Sequence, residues 1–460
     1  MKSTATQPIK LSVIALSVLL AACAAGPDYT RPAIETPAAY SEAGDWLPAN
    51  PSDAVPRGTW WSAFNDATLN QLMDQLNQHN PSIEAAEAGY RQAQAALDGA
   101  RAAFWPTIGI SAGEQRGKSN PAAAVSTTDS LQLQASWAPD LWGKVRRSSE
   151  SGQALADASA STLAATRLST QATLAQTYFS TRVADKQAAL LQDAVSEYER
   201  ALKLTQNQFK VGTVTEVDVL QARTQLDSTR AALSDIDITR AQLRHALAVL
   251  VGKTPAAFAL QAGELTNSAA IPTVGIPSTL LERRPDIAAA ERKVASLNAQ
   301  IGVSKAAWFP SLTLGASTGY SASTFSHLIS APNRIWSFGP QLAEALFDGG
   351  NRKAQTAAAR AAYDAGVASY KSTVLNAFRE VEDNLVALRK LDEEIRQQQS
   401  AVDAARKTAT IVMNQYKVGT VSYLNVVTAQ TARLSAERSL MQLHGRQLNA
   451  RVGLVTSLGG

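Results

Sequence analysis

The sequence predicts an internally duplicated α+β membrane protein, with a β-barrel shared between copies of the chain and long α-helical coiled coils. Three observations carry that prediction. They are a repeat of roughly 200 residues, four segments whose apolar residues alternate with polar ones, and two helical runs of extreme length.

The repeat fixes how the other segments are read. Asn80-Pro-Ser-Ile-Glu-Ala-Ala-Glu87 matches Arg284-Pro-Asp-Ile-Ala-Ala-Ala-Glu291, and Ala102-Ala-Phe-Trp-Pro106 matches Ala306-Ala-Trp-Phe-Pro310, both at an offset of 204. Farther on, the stretch from Gln208 to Ala222 recurs from Gln415 to Ala429 at an offset of 207, with eight of fifteen positions identical. Residues 61–253 are thus a first structural repeat and 284–460 a second. Residues 254–283, with Pro255, Pro272 and Pro277, read as an irregular connector.

Ahead of the repeats, Lys2 and Lys10 bracket the approach to an apolar run, Leu11 to Ala22. That run is too short for an ordinary membrane anchor and suits the core of an export signal. It ends in Leu20-Ala21-Ala22-Cys23, and Cys23 is the only cysteine, so no disulfide can form within the chain. Leu-Ala-Ala-Cys resembles the bacterial lipobox, which implies that residues 1–22 are removed and Cys23 is acylated. Ala24 stands where lipoproteins of the inner membrane typically carry Asp, so the resemblance favours the outer membrane. Residues 23–60 hold six of the 18 prolines and read as an extended tether.

Each repeat then predicts a helix, a β-hairpin and a long helical hairpin. Pro81 and Pro285 suit a first helical turn and open helices that run to about Ala103 and Ala307. In Leu131-Gln-Leu-Gln-Ala-Ser-Trp137 the apolar residues have a period of two. Ile108 and Ile110 start a similar strand, Leu312 and Leu314 another, and Trp336, Phe338 and Leu342 mark a fourth. Alternation assigns Leu131, Leu133, Trp137, Trp336 and Phe338 to lipid, and Gln132, Gln134 and Ser337 to water.

The helical runs over 141–210 and 349–417 extend roughly 100 Å each at 1.5 Å per residue. Their apolar residues recur at intervals of seven, Ala188, Val195, Leu202 and Phe209 in one and Val381, Leu388, Ile395 and Val402 in the other, which is coiled-coil spacing. Asp392, Glu393, Glu394 and Arg396 read as solvated. Return helices reach about Leu250 and Val455. Four strands cannot close a barrel, and open sheet edges do not survive in hydrocarbon. Two copies would supply eight strands and three copies twelve, and only the larger barrel leaves a generous lumen.

Other chemistries find little support. A net charge of +4 without a basic run gives no nucleic-acid surface. His79, His245, His327 and His444 are isolated, which predicts no metal site. The chain has no Gly-rich phosphate loop and no Gly-x-Ser-x-Gly elbow, so it reads as no enzyme, and energy for transport must come from a partner. The four methionines are unclustered, which favours organic cargo over copper or silver.

Four features together resemble the TolC-like outer membrane factors, in their lipidated NodT-type branch. They are the lipobox followed by Gly26-Pro-Asp-Tyr29, the segment Leu280-Leu-Glu-Arg-Arg-Pro-Asp-Ile287, the paired Phe-Trp-Pro and Trp-Phe-Pro, and the doubled Val-Gly-Thr turn. The resemblance implies the outer-membrane duct of a tripartite efflux pump in a Gram-negative bacterium. It would be a homotrimer with a twelve-stranded barrel in outer-membrane lipid and a helical tunnel in the periplasm, passively conducting drugs or other small organic solutes. A periplasmic adaptor (membrane fusion) protein and an inner-membrane RND-type transporter are the implied partners, and the lipid on Cys23 the only attached group. Val211, Gly212, Thr213, Val418, Gly419 and Thr420 would be the tips that meet the adaptor.

The family often places acidic gate residues after the second turn, where this chain has Asn425 and Thr428. That departure leaves Asp218 and Glu216 of the first repeat as gate candidates. Arg283-Arg284-Pro285-Asp286 reads as structural, with the arginines bonded to neighbouring carboxylates or carbonyls. Arg146, Arg147, Arg352 and Lys353 follow the second strand of each hairpin, which suits the barrel rim. Two other readings are a non-conducting periplasmic coiled-coil scaffold, which needs no amphipathic strands, and a duct for protein secretion, which fits the lipobox and the Leu-Glu-Arg-Arg-Pro-Asp segment less well.

Overall fold

Residues 25–35, 37, 40–41, 58–118, 120–121, 124–263 and 283–460 are described by the computed structural model. The signal segment, Cys23, most of the tether and Leu280–Glu282 lie outside them. In chain order the main elements are α1 (Ala67–His79), α2 (Pro81–Ala102), β1 (Thr107–Gly117), β2 (Ser126–Trp137), α3 (Lys144–Lys210), α4 (Glu216–Leu250), α5 (Pro285–Ala306), β3 (Ser311–Ala322), β4 (Arg334–Ala343), α6 (Asn351–Lys417) and α7 (Tyr423–Ser457). From α2 and from α5 onward the order of helices and strands is the same, as the duplication predicts, and the first repeat adds α1 ahead of it. The described residues fold as two units, one comprising those within 1–34, 88–161 and 288–372, the other those within 35–87, 162–287 and 373–460. Each unit draws on both repeats.

The first unit contains one antiparallel sheet in the order β1-β2-β3-β4. Its register decides which residues share a face, because directly opposed residues point to the same side. Ile108, Ala135, Ala316 and Phe338 form one rung, and Ile110, Leu133, Thr318 and Trp336 the next. Trp137, Leu314 and Pro340 continue that face, as do Leu131 and Tyr320. The opposite face carries Gly109, Gln134, Ser317 and Ser337, then Ser111, Gln132, Gly319 and Ile335. Polar groups there bond one another, Gln134 Nε2 donating to Ser111 Oγ at 3.3 Å and the Ser317 and Ser337 hydroxyls lying 2.8 Å apart. Between Leu312 and Tyr320 one face is therefore mostly apolar and the other mostly polar, and the apolar face gives way to Arg334, Glu114 and Asp129. Trp336 and Phe338 are 75% and 73% exposed, and β1 and β4 each pair on one side only.

The described part of the tether is extended, as predicted, yet it is bound along its length. Ala25 N donates to Trp142 O at the β2–α3 junction. Gly26, with φ at +105°, places its backbone so close to Gly302 that a Cβ would lie 2.5 Å from the Gly302 Cα. Asn298 Nδ2 donates to Pro27 O at 3.0 Å, Arg147 pairs with Asp28 at 2.7 Å, and Tyr29 Oη donates to Glu291 at 2.6 Å. Each residue of Gly26-Pro-Asp-Tyr29 thus has a structural partner. Burial and the bond to Glu291 push the Tyr29 hydroxyl well above its ordinary pKa. Arg147 is buried beneath this strap and Arg352 is held by Asp348 at 2.8 Å, so both are structural ties beside the strand ends.

In the second unit, α1 and the short turn Trp60–Phe64 close a core of Phe64, Leu69, Met73, Leu76, Tyr178, Phe179, Leu247 and Val452. The heptad residues Ala188, Val195, Val381, Leu388 and Val402 are buried, while Leu202 and Ile395 are partly so. Phe209, the last of its series, is 45% exposed because the helix ends one residue later. Asp392 departs from expectation. It is half-buried and accepts a hydrogen bond from Gln447 of α7, since its position in the helix turns toward the return helix and not toward solvent. Arg284 behaves as predicted, with bonds to Asp286 at 2.7 Å, Glu380 at 2.8 Å and the Ser457 carbonyl at 3.2 Å. The connector has a short turn at Pro255–Ala257, and its residues 264–282 lie outside those described.

Candidate entrance and docking site at the paired helix tips

Both long hairpins reverse by the same chemistry. Gly212 N donates to Phe209 O at 2.9 Å and Thr213 N to Gln208 O at 3.0 Å. Gly419 N donates to Tyr416 O at 2.9 Å and Thr420 N to Gln415 O at 3.0 Å. This pair of bonds ends a helix with a left-handed residue, which glycine adopts without a Cβ penalty. Gly212 has φ at +77° and Gly419 at +79°, both in the left-handed region. Thr213 and Thr420 then add their hydroxyls to the same carbonyls, Gln208 O at 3.0 Å and Gln415 O at 2.9 Å. That double use of one carbonyl explains why Gly-Thr recurs as a unit.

The gate candidates sit just beyond these turns. Asp218 Oδ2 accepts from Thr215 N at 2.9 Å and from Thr215 Oγ1 at 2.8 Å, the acidic half of a capping box at the start of α4. Glu216 is exposed in the first turn of the same helix. In the second repeat Asn425 N donates to Ser422 O at 3.1 Å, and Thr428 Oγ1 donates to Leu424 O at 2.9 Å.

The structure brings the two tips together. Tyr416 and Tyr423 pack edge to face at 5.2 Å and are buried with Ala201, Ala222 and Val426. The Tyr416 hydroxyl lies 3.1 Å from Thr205 Oγ1 of α3. Burial pushes the Tyr416 hydroxyl above its ordinary pKa, the Thr205 bond opposes the shift, and the Asp218 carboxylate adds to it. A cavity of about 590 Å³ separates the turns and is lined by Thr213, Asp218, Lys417, Gly419 and Thr420, among others. Val211 and Val418 are each 74% exposed, and a Cβ at Gly212 or Gly419 would find open space. The tips thus present apolar side chains around two unobstructed glycines. Sequence reasoning missed Tyr416 and Tyr423. Their signal was divergence between the repeats, since Phe209 and Glu216 occupy the corresponding positions.

Comparison with known proteins follows this geometry closely. The profile of the family described as Outer membrane efflux protein matches residues 72–253 and 276–460. Nodulation protein T of Rhizobium leguminosarum bv. trifolii is 30% identical over 431 residues, covering 92% of this chain and 91% of its own. The cation efflux system protein CusC of Escherichia coli (strain K12) is 28% identical over 458 residues, covering 98% and 99%. Among solved structures, the outer-membrane channel OprN superposes with a TM-score of 0.88 at 30% identity, over 95% of this chain and 99% of that one. The NodT-type resemblance, the outer-membrane location, the α+β channel fold and the efflux reading are all borne out. With the matched residues spanning both repeats and the tips between them, this chain belongs to the outer membrane efflux protein family.

Proposed function

We propose that three copies of this chain close one twelve-stranded barrel, and that the tips dock a periplasmic adaptor fed by an inner-membrane RND-type transporter. The observation that carries the proposal is a four-stranded sheet with one apolar face and two unpaired edges. Between Leu312 and Tyr320 the apolar face covers about 27 Å of strand at about 3.4 Å per residue. A tilt of about 40° reduces this to about 21 Å, close to the ~25 Å band of outer-membrane barrels. Leu131, Leu133, Trp137, Trp336 and Phe338 then contact lipid, and the Gly-, Ser- and Gln-rich face lines the lumen. A scaffold has no use for such a band.

Small organic solutes pass down this lumen without being bound, the cargo class resting on the unclustered methionines. Cys23 carries the acyl chains, and the tie of Ala25 to the β2–α3 junction supports this because the cysteine is only two residues earlier in the chain. Glu216 supplies negative charge at the entrance, whereas Asp218 serves chiefly as a cap.

Two measurements test the reading. The native mass of the lipoprotein in mild detergent should be that of a trimer, and the trimer should conduct in planar bilayers. A monomer persisting across several mild detergents would leave four strands with open edges and return the scaffold. Gly419→Trp should abolish efflux while leaving the trimer and its location intact, whereas Gly419→Asn, which tolerates positive φ, should retain efflux. Efflux surviving in the tryptophan variant would remove the docking role.

A further inference from the structure

A second cavity, of about 410 Å³, opens between α3, α6 and α7 within the helical unit. Its lining combines three kinds of group. Leu204 and Met413 form an apolar wall, and Arg200, Lys417 and Arg433 outnumber the single carboxylate of Glu197. The third group is Gln430, a residue only 5% exposed whose Oε1 has no hydrogen-bond partner among the described residues. Arg433 engages Glu197 through Nη2, yet its Nε is also buried and unpartnered. Gln430 and Arg433 are three residues apart on α7 and so lie on one helix face.

An orphan acceptor beside an orphan charged donor is a costly arrangement for a helix packing surface. The duplication shows that the hairpin does not need it. At the corresponding positions the first repeat has Arg223 and Leu226, so the polar pair arose on one hairpin only. The geometry points to a binding site for a hydroxylated organic carboxylate, in which the ligand hydroxyl pairs with the Gln430 side-chain amide and the carboxylate with the Arg433 guanidinium. Lys417 and Arg200 supply the remaining positive charge, and the apolar wall takes the ligand's ring or chain. The volume falls within the range of small-molecule sites.

The test is equilibrium dialysis of the full lipoprotein in detergent against 4-hydroxybenzoate, with benzoate and 4-hydroxybenzamide as comparison probes and protein-free micelles as the blank. The expected result is saturable binding of one 4-hydroxybenzoate per chain, with each comparison probe about tenfold weaker or more. Gln430→Leu should erase the preference over benzoate. Thr410 lies exposed on the cavity lining, so Thr410→Trp should leave folding intact, as native mass and circular dichroism would verify, and reduce binding by about tenfold or more. Absence of saturable binding at millimolar probe, equal retention of benzoate, or indifference to Thr410→Trp would overturn the site and leave a cavity filled by water only.

Discussion

Gly26 shows how one residue can be required twice over. Its φ of +105° is a conformation reserved for glycine, and its missing side chain admits the Gly302 backbone. Gly26→Ala should therefore cost roughly 2–4 kcal/mol and lower the melting temperature of the assembled protein, whereas Ala25→Ser should leave it unchanged. Asp218 makes a different residue-scale case. Removing its carboxylate with Asp218→Ala should cost about 1 kcal/mol through loss of the α4 cap and leave ion selectivity untouched. Glu216→Gln should reduce cation preference, read as a shift in reversal potential across a salt gradient. If Asp218→Asn shifts that potential as much as Glu216→Gln, the division of roles between them is wrong. The partners of the Gly26 strap were not legible in the sequence beforehand. Gly26-Pro-Asp-Tyr29 was recognisable only as a motif, because Gly302, Asn298, Arg147 and Glu291 lie more than a hundred residues away along the chain.

Strands and helices were far more legible, because periodicity is a local property. Alternation marked Leu131 to Trp137 and Trp336 to Leu342 as strands, and both lie within observed ones. Sequence spacing could not supply the register that sets Leu133 beside Ile110 on one side and Thr318 on the other. With that register, placing a charge on the apolar face should be costly, whereas the same charge on the polar face should be tolerated. Leu133→Arg should destabilise the barrel by about 2–4 kcal/mol if it sits near the bilayer midplane, and Gln134→Arg by far less. Folding yield into lipid vesicles checks the pair, and equal yields would mean the lipid face is misassigned. The helices teach a similar lesson. Heptad spacing identified Val381 and Leu388 as core, but only packing against α7 gave Asp392 its partner Gln447.

For the whole molecule, the duplication predicts how one copy meets the next. Trp137 corresponds to Leu342 and Leu314 to Ile110, so the observed pair Trp137 and Leu314 implies Leu342 opposite Ile110 of a neighbouring copy. Trp142 supports the same correspondence. Its ring stacks on Phe309 at 4.9 Å and its Nε1 donates to Pro310 O at 2.6 Å. The matching pair Phe347 and Trp105 are 91% and 75% exposed within a single chain, as expected of surfaces that meet only across the seam. Cysteines at Leu342 and Ile110 should therefore cross-link copies on oxidation, since opposed strand residues fall within disulfide reach. Stronger cross-linking of Leu342→Cys to Ile108→Cys or Ala112→Cys would reject this register.

The sequence by itself determined the order and kind of the elements, the duplication, the amphipathic strands and the glycine turns, because each depends on residues close together in the chain. Only the tertiary structure decided the strand register, the strap over Gly302 and the Tyr416–Thr205 contact between the two hairpins, because each joins residues that the chain keeps far apart. Local spacing dictates backbone conformation and which face is apolar, whereas contact between distant segments depends on how whole elements pack.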